Sequence, residues 1–153
     1  MLTTLSRLES RYPDCDRMGI VHHAVYPIWI EAARMDWLTQ AGIPFDLSQS
    51  LGLNPTMVEL NIRYLAPASY PQTILIETRP GLVAPKKLEL LYTLRDEAGR
   101  TLSEGRTFHI WTGRDNRSCS VEEAFPEIYA RLLKAAEKEE DPLRNSSESL
   151  TNE

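Results

Sequence analysis

The sequence predicts an α+β domain, with one antiparallel sheet of about five strands covered by a single long helix. Three observations lead there. The 153-residue chain is 42% hydrophobic and 25% charged, which suits one globular core. A helical stretch at 24–40 is apolar around most of its circumference, as a helix buried against a sheet should be. The segments that follow it alternate apolar and polar residues with a period of two. Strands in succession after one helix disfavour a dinucleotide-binding unit, which would alternate strand and helix throughout.

The elements follow in order. A first strand is expected over 5–12, then a loop, Pro13-Asp14-Cys15-Asp16-Arg17-Met18-Gly19. Ile20 and Val21 lead into the long helix. Pro27 fits its first turn, where a missing amide hydrogen does little harm, and Gly42 suits its end. Ala32 and Ala33 allow close approach, while polar groups gather around Glu31, Arg34 and Gln40. Strands are expected over 58–65, with Val58, Leu60, Ile62 and Tyr64 on one face, and over 74–79. A third places Leu88, Leu90, Tyr92 and Leu94 on one face; the turn Asp96-Glu97-Ala98-Gly99 then leads to a strand at 100–112. Residues 121–138 read as one amphipathic helix.

Charge narrows the partners. The formal net charge is -5. The segment 137–153 holds six acids (Glu137, Glu139, Glu140, Asp141, Glu148, Glu153) and two bases (Lys138, Arg144), so residues 1–136 carry only -1. The folding domain is expected over 1–136, with 137–153 an acidic, disordered tail. Nucleic acid and anionic membranes demand positive surface, so neither is an expected partner. The opening MLTTLSRLES lacks a signal-peptide pattern, and no apolar run reaches the roughly 20 residues needed to span a bilayer. Cys15 and Cys119 lie 104 residues apart with no metal-ligand spacing. A cytoplasmic protein with reduced thiols, no metal and no cofactor is the expectation; no phosphate-binding or dinucleotide fingerprint is present.

The chemistry concentrates in residues 12–26. Asp14 and Asp16 sit two residues apart just before a helix, with His22 and His23 at its entrance. The first amides of a helix have no internal partners and can stabilise charge developing on a substrate oxygen. A nearby carboxylate can attack a carbonyl or activate water. From the loop alone, Asp16 could equally be a cap or turn residue. Asp14 reads as structural, binding loop amides, and Cys15 as a bystander thiol.

This stretch, D14-C-D16-R-M-G19-I-V-H-H23-A-V-Y26 followed by I30-E31-A-A-R34, resembles the hotdog-fold acyl-CoA thioesterases of the 4-hydroxybenzoyl-CoA type. The later N61-I-R63-Y64-L-A-P67-A-S-Y70 also resembles that family. The likeness covers roughly 5–125. It implies a long helix wrapped by a curved sheet, protomers paired into one continuous sheet, further assembly into tetramers, and active sites between protomers. It implies that Asp16 is the catalytic carboxylate, that the backbone amide of His23 polarises the thioester carbonyl, and that Gly19 shapes the loop. His22 departs from the family, which often has an aromatic residue there; its ring could equally form a pocket wall or face solvent. Tyr26, Trp29, Met57 and Tyr64 are candidate apolar walls, although Trp29 and Trp37 read first as core. Coenzyme A implies cationic phosphate contacts. Lys86 and Lys87 are the first candidates, and the likeness supports basic residues near that strand; Arg63, Arg114 and Arg117 are weaker ones.

Two routes fit: Asp16 attacks the thioester to give a mixed anhydride that water opens, or Asp16 activates water directly. Acyl-carrier-protein esters are the rival substrate. A dehydratase is disfavoured by the aspartate-to-helix motif, and a non-catalytic acyl-CoA-binding protein would bind without releasing thiol.

Overall fold

In a computed structural model that describes residues 1–137, β1 spans Thr4–Glu9, three residues short of the expected end. Pro13 lies inside a 3-10 turn, Tyr12–Asp14, that stops the strand. The long helix opens with a 3-10 turn at His23–Val25 and continues as α1, Tyr26–Gln40. Pro27 sits in the first turn of α1, and Gly42 follows its end at φ 89°, a left-handed conformation that glycine adopts freely. A short helix that the sequence reading lacks, α2 (Phe45–Leu51), is closed by Gly52 at φ 65°. Four strands follow: β2 (Asn54–Tyr64), β3 (Thr73–Val83), β4 (Lys87–Arg95) and β5 (Thr101–Thr112). The expected terminal helix is two, α3 (Val121–Ala124) and α4 (Pro126–Ala136). Pro126 has no amide hydrogen to continue the first, so it starts the second. The expected acidic tail lies outside the described residues from Lys138 onward.

The five strands form one antiparallel sheet in the order β1-β3-β4-β5-β2, so β2 is an edge. With α1 against its inner face, this is the hotdog arrangement. Ile74 and Ile76 of β3, and Leu88, Leu90, Tyr92 and Leu94 of β4, point inward and are fully or almost fully buried. They meet Tyr26, Trp29, Ile30, Ala33, Trp37 and Leu38 of α1. Trp29 and Trp37 are therefore core residues, and Trp37 Nε1 donates to the Leu2 carbonyl at 3.1 Å. No helix among the described residues is long and apolar enough to cross a membrane.

Two sequence readings need correction here. Arg34 is not on a polar outer face: it is 7% exposed, beneath α1, and its nearest carboxylate, the exposed Glu31, stands 3.8 Å from Nη2. It faces the buried chain formed by Tyr92, Thr107 and His109. Thr107 Oγ1 lies 2.8 Å from both Tyr92 Oη and His109 Nε2. Burial, and then the Arg34 charge, lower the His109 pKa to about 4, so this imidazole is neutral. The second correction concerns β2. A bulge between Met57 and Glu59 lets the strand begin at Asn54 but takes Val58 out of the expected face.

Candidate active site

The segment between β1 and α1 is held by backbone pairing. Cys15 bridges to Val21, and Ile20 bridges to Ser69 beyond the end of β2. Within that frame the two aspartates take different partners. Asp14 does not bind loop amides as expected. Both its oxygens receive the Arg11 guanidinium, at 2.8 and 2.9 Å, which holds the carboxyl below its ordinary pKa. The amide-binding role belongs to Asp16. Its Oδ1 accepts from the Met18 amide at 2.8 Å and the Ile20 amide at 3.1 Å. Its own amide donates to the Ile20 carbonyl at 2.8 Å. Gly19 closes this turn at φ 73°, where a Cβ would meet nothing within 4 Å; the glycine is needed for its backbone angle rather than for space. The Asp16 carboxylate is exposed, and among the described residues Oδ2 has no hydrogen-bond donor.

The helix entrance is accounted for amide by amide. The His22 amide donates to the Asp14 carbonyl at 2.9 Å, and the Val25 amide to the His22 carbonyl at 3.0 Å. The Ala24 amide donates to His22 Nδ1 at 3.2 Å. Among the described residues the His23 amide has no acceptor. The hydroxyl of Tyr64, at the end of β2, donates to the His23 carbonyl at 2.8 Å and so ties the entrance to the sheet. That contact was not legible in the sequence, where Tyr64 read only as an apolar wall.

Beside this entrance opens a cleft of about 310 Å³. Ile20, Val21 and His23 form one side; Tyr64, Leu65, Ala66 and Pro67 form another, with Tyr26 between. The Tyr26 and Tyr64 rings meet edge to face with centroids 5.0 Å apart. Tyr26 is buried, and its hydroxyl accepts from the Ala68 amide at 3.1 Å. Burial raises the pKa of both phenols, so each stays protonated. Asp16 does not itself line the cleft; it holds the amide of Ile20, which does. The Cys15 thiol is raised above its ordinary pKa by burial and by the flanking carboxylates of Asp14 and Asp16, which fits a bystander.

Other candidates lie elsewhere. Met57 sits toward the far end of β2, and Arg63 is exposed on the outer sheet face opposite Glu104. Lys86 and Lys87 are exposed at the start of β4, with Lys87 Nζ 5.9 Å from the Phe108 ring centroid. Arg114 donates to the Ser50 carbonyl beside α2, and Arg117 is exposed in the loop after β5. Within one chain His22, His23, Tyr26 and Tyr64 touch one another in succession, Asp16 and Gly19 lie in the adjoining turn, and the basic candidates lie apart.

Residues 11–138 match the model of the thioesterase-like superfamily. The chain belongs to that superfamily. This makes it a hydrolase of the thioesterase class. It is 26% identical over 136 residues to a Bacillus subtilis (strain 168) protein named "Putative acyl-CoA thioesterase YneP", covering 88% of this thioesterase and 99% of that protein. The crystal structure of the hypothetical protein TT1821 from Thermus thermophilus is 33% identical, with a TM-score of 0.79 and coverage of 86% and 98%. A DHNA-CoA thioesterase from Staphylococcus aureus shares the fold at a TM-score of 0.83 and 24% identity, covering 88% of this chain and 91% of that one.

Proposed function

We propose that this thioesterase hydrolyses acyl-CoA thioesters, with Asp16 as the reacting carboxylate and the His23 amide as the donor to the thioester carbonyl. One observation carries the reading. A carboxylate with one oxygen anchored and the other without a donor among the described residues lies in the turn that holds Ile20, a wall residue of a cleft to which His23 also belongs, and the His23 amide has no acceptor among the described residues. The anchored Oδ1 fixes the direction of Oδ2. A thioester carbonyl oxygen on the His23 amide would develop its negative charge there as the carbon becomes tetrahedral.

Two balanced routes use this geometry. In one, Oδ2 bonds to the acyl carbon, the C–S bond breaks, and coenzyme A leaves as thiolate; water then opens the mixed anhydride. In the other, Oδ2 takes a proton from the water that attacks the same carbon; the tetrahedral adduct then expels coenzyme A as thiolate as the C–S bond breaks, and the thiolate takes up a proton from Asp16 or solvent. The products in both are a carboxylic acid and free thiol. The apolar cleft walls suit an aromatic or aliphatic acyl group, with Tyr26 and Tyr64 offering ring edges and faces.

The basic candidates enter this reading through a second copy of the chain. Met57 and Leu60 face inward on β2 yet are each 39% exposed, and the free side of this edge strand can pair with another strand. In the register of the sheet, Tyr64 lies level with Ser103 and Leu94, whereas Thr56 lies level with Ile110 and Lys87. The two ends of β4 are thus about 23 Å apart at roughly 3.3 Å per residue. Antiparallel pairing of β2 with its twofold mate reverses those ends. It brings the partner's Lys86 and Lys87 toward this chain's cleft, where their ammonium groups would meet coenzyme A phosphates. A dimer is the unit this reading needs, and a tetramer of such dimers agrees with the family resemblance.

The test is thiol release by the wild-type protein across coenzyme A esters of varied ring and chain type. Turnover of at least one class, with free acid formed in equal amount, is expected. Tight binding of the esters without thiol release would overturn the proposal.

A further inference from the structure

We infer that His22 is a positioning residue for thioester hydrolysis: its imidazole caps the helix entrance and leaves the His23 amide as the one free donor there among the described residues. The inference rests on the proposed role of the His23 amide. It goes beyond that role by assigning a task to the His22 side chain.

The argument is an accounting of donors. Four successive amides, those of residues 22 to 25, open the helix. Three are taken: by the Asp14 carbonyl, by His22 Nδ1 and by the His22 carbonyl. His22 therefore supplies two of the three acceptors, one from its backbone and one from its ring. Without the ring nitrogen the Ala24 amide would also be free. It would compete with the His23 amide for the same oxygen, and the 3-10 turn would lose the side-chain bond that sets its pitch. Accepting at Nδ1 uses the ring nitrogen's lone pair, which a hydrocarbon ring lacks. The ring is also held in place. It lies against the His23 ring with centroids 4.2 Å apart and planes inclined by 31°. On the far side of the same turn the Tyr64 hydroxyl fixes the His23 carbonyl. The ring cap and the tyrosine thus clamp the peptide that follows the His23 amide from two directions.

A pocket wall and a cap make different demands on position 22, and two substitutions separate them. His22→Phe keeps a flat ring able to pack on His23 but has no acceptor. His22→Asn keeps an acceptor of the kind favoured at helix starts but has no ring. The inference expects His22→Phe to lower kcat by about fivefold to tenfold, the usual scale for losing one cap, with KM nearly unchanged. His22→Asn should restore most of that loss. Exchange of the Ala24 amide proton, followed by NMR in the absence of substrate, should accelerate in His22→Phe and return toward the wild-type rate in His22→Asn. Wild-type kcat in His22→Phe would overturn the inference. So would a His22→Asn variant as slow as His22→Phe, or Ala24 exchange indifferent to all three side chains. If the wild-type protein turns over no thioester, the proposed function fails, and the Ala24 exchange rates still decide whether His22 is the cap.

Discussion

Replacing His109 tests the buried polar chain beneath α1 through the pH dependence of stability. The imidazole is fully buried, with Nε2 on the Thr107 hydroxyl and the Arg34 cation nearby. Its pKa falls from an ordinary 6.5 to about 4. Between those values the unfolded chain binds a proton that the folded chain refuses, so stability declines as pH falls through that window. At about 1.4 kcal/mol per pKa unit, His109 alone removes on the order of 2 kcal/mol between pH 7 and pH 5. Asp14 does not share the window. Its carboxyl is held low, so the stability it contributes is lost only at more acid pH. The assay is urea unfolding at pH 7 and pH 5, at one protein concentration, for the wild type and His109→Gln. Glutamine can still reach a hydroxyl but does not titrate. The wild type should lose about 2 kcal/mol more than the variant over that interval. Equal losses would refute the assignment of a neutral, buried imidazole.

Further outcomes follow from the loop and the sheet edge. Gly19→Ala forces a side chain into a left-handed turn residue; a cost of about 1 kcal/mol in unfolding free energy is expected, with a fall in kcat as the Asp16 turn loosens. Urea titration and steady-state kinetics read the two effects. Lys86→Gln and Lys87→Gln, made separately, should raise KM for coenzyme A esters several-fold at low salt, leave the order of acyl preference unchanged, and lose their effect as salt rises. An unchanged KM in both would remove these lysines from the nucleotide site.

The sequence was most informative where a regular pattern met no interruption. The inward leucines and Tyr92 of β4, the turn before β5, and the Pro27 and Gly42 bounds of α1 all express local rules that tertiary contacts leave intact. It was least informative where one residue breaks a period. The bulge at Val58 lengthens β2, and Pro126 divides the terminal helix. Arg34 shows a further limit. A charged residue beside Glu31 reads as solvated, and only the packing of α1 over Tyr92 and His109 places it inside. In the loop, the family resemblance singled out Asp16, Gly19 and His23; the fold sets His23 in the wall of the cleft, and Asp16 and Gly19 in the turn that holds Ile20 of that wall. The bonds from Arg11 to Asp14 and from Tyr64 to His23 depend on side-chain direction. The second also spans 41 residues, a separation that no local spacing encodes. Lys86 and Lys87 were singled out by charge and by the resemblance, yet their distance from the cleft follows only from strand register.

Thiol release by Asp16→Asn bears most directly on the central claim. Asparagine keeps an oxygen for the Met18 and Ile20 amides, so the turn should survive while the anionic attacking or proton-accepting oxygen is gone. Against the best coenzyme A ester of the wild type, kcat should fall by roughly 10²–10⁴-fold with KM little altered. Wild-type turnover in a folded Asp16→Asn protein would contradict the account.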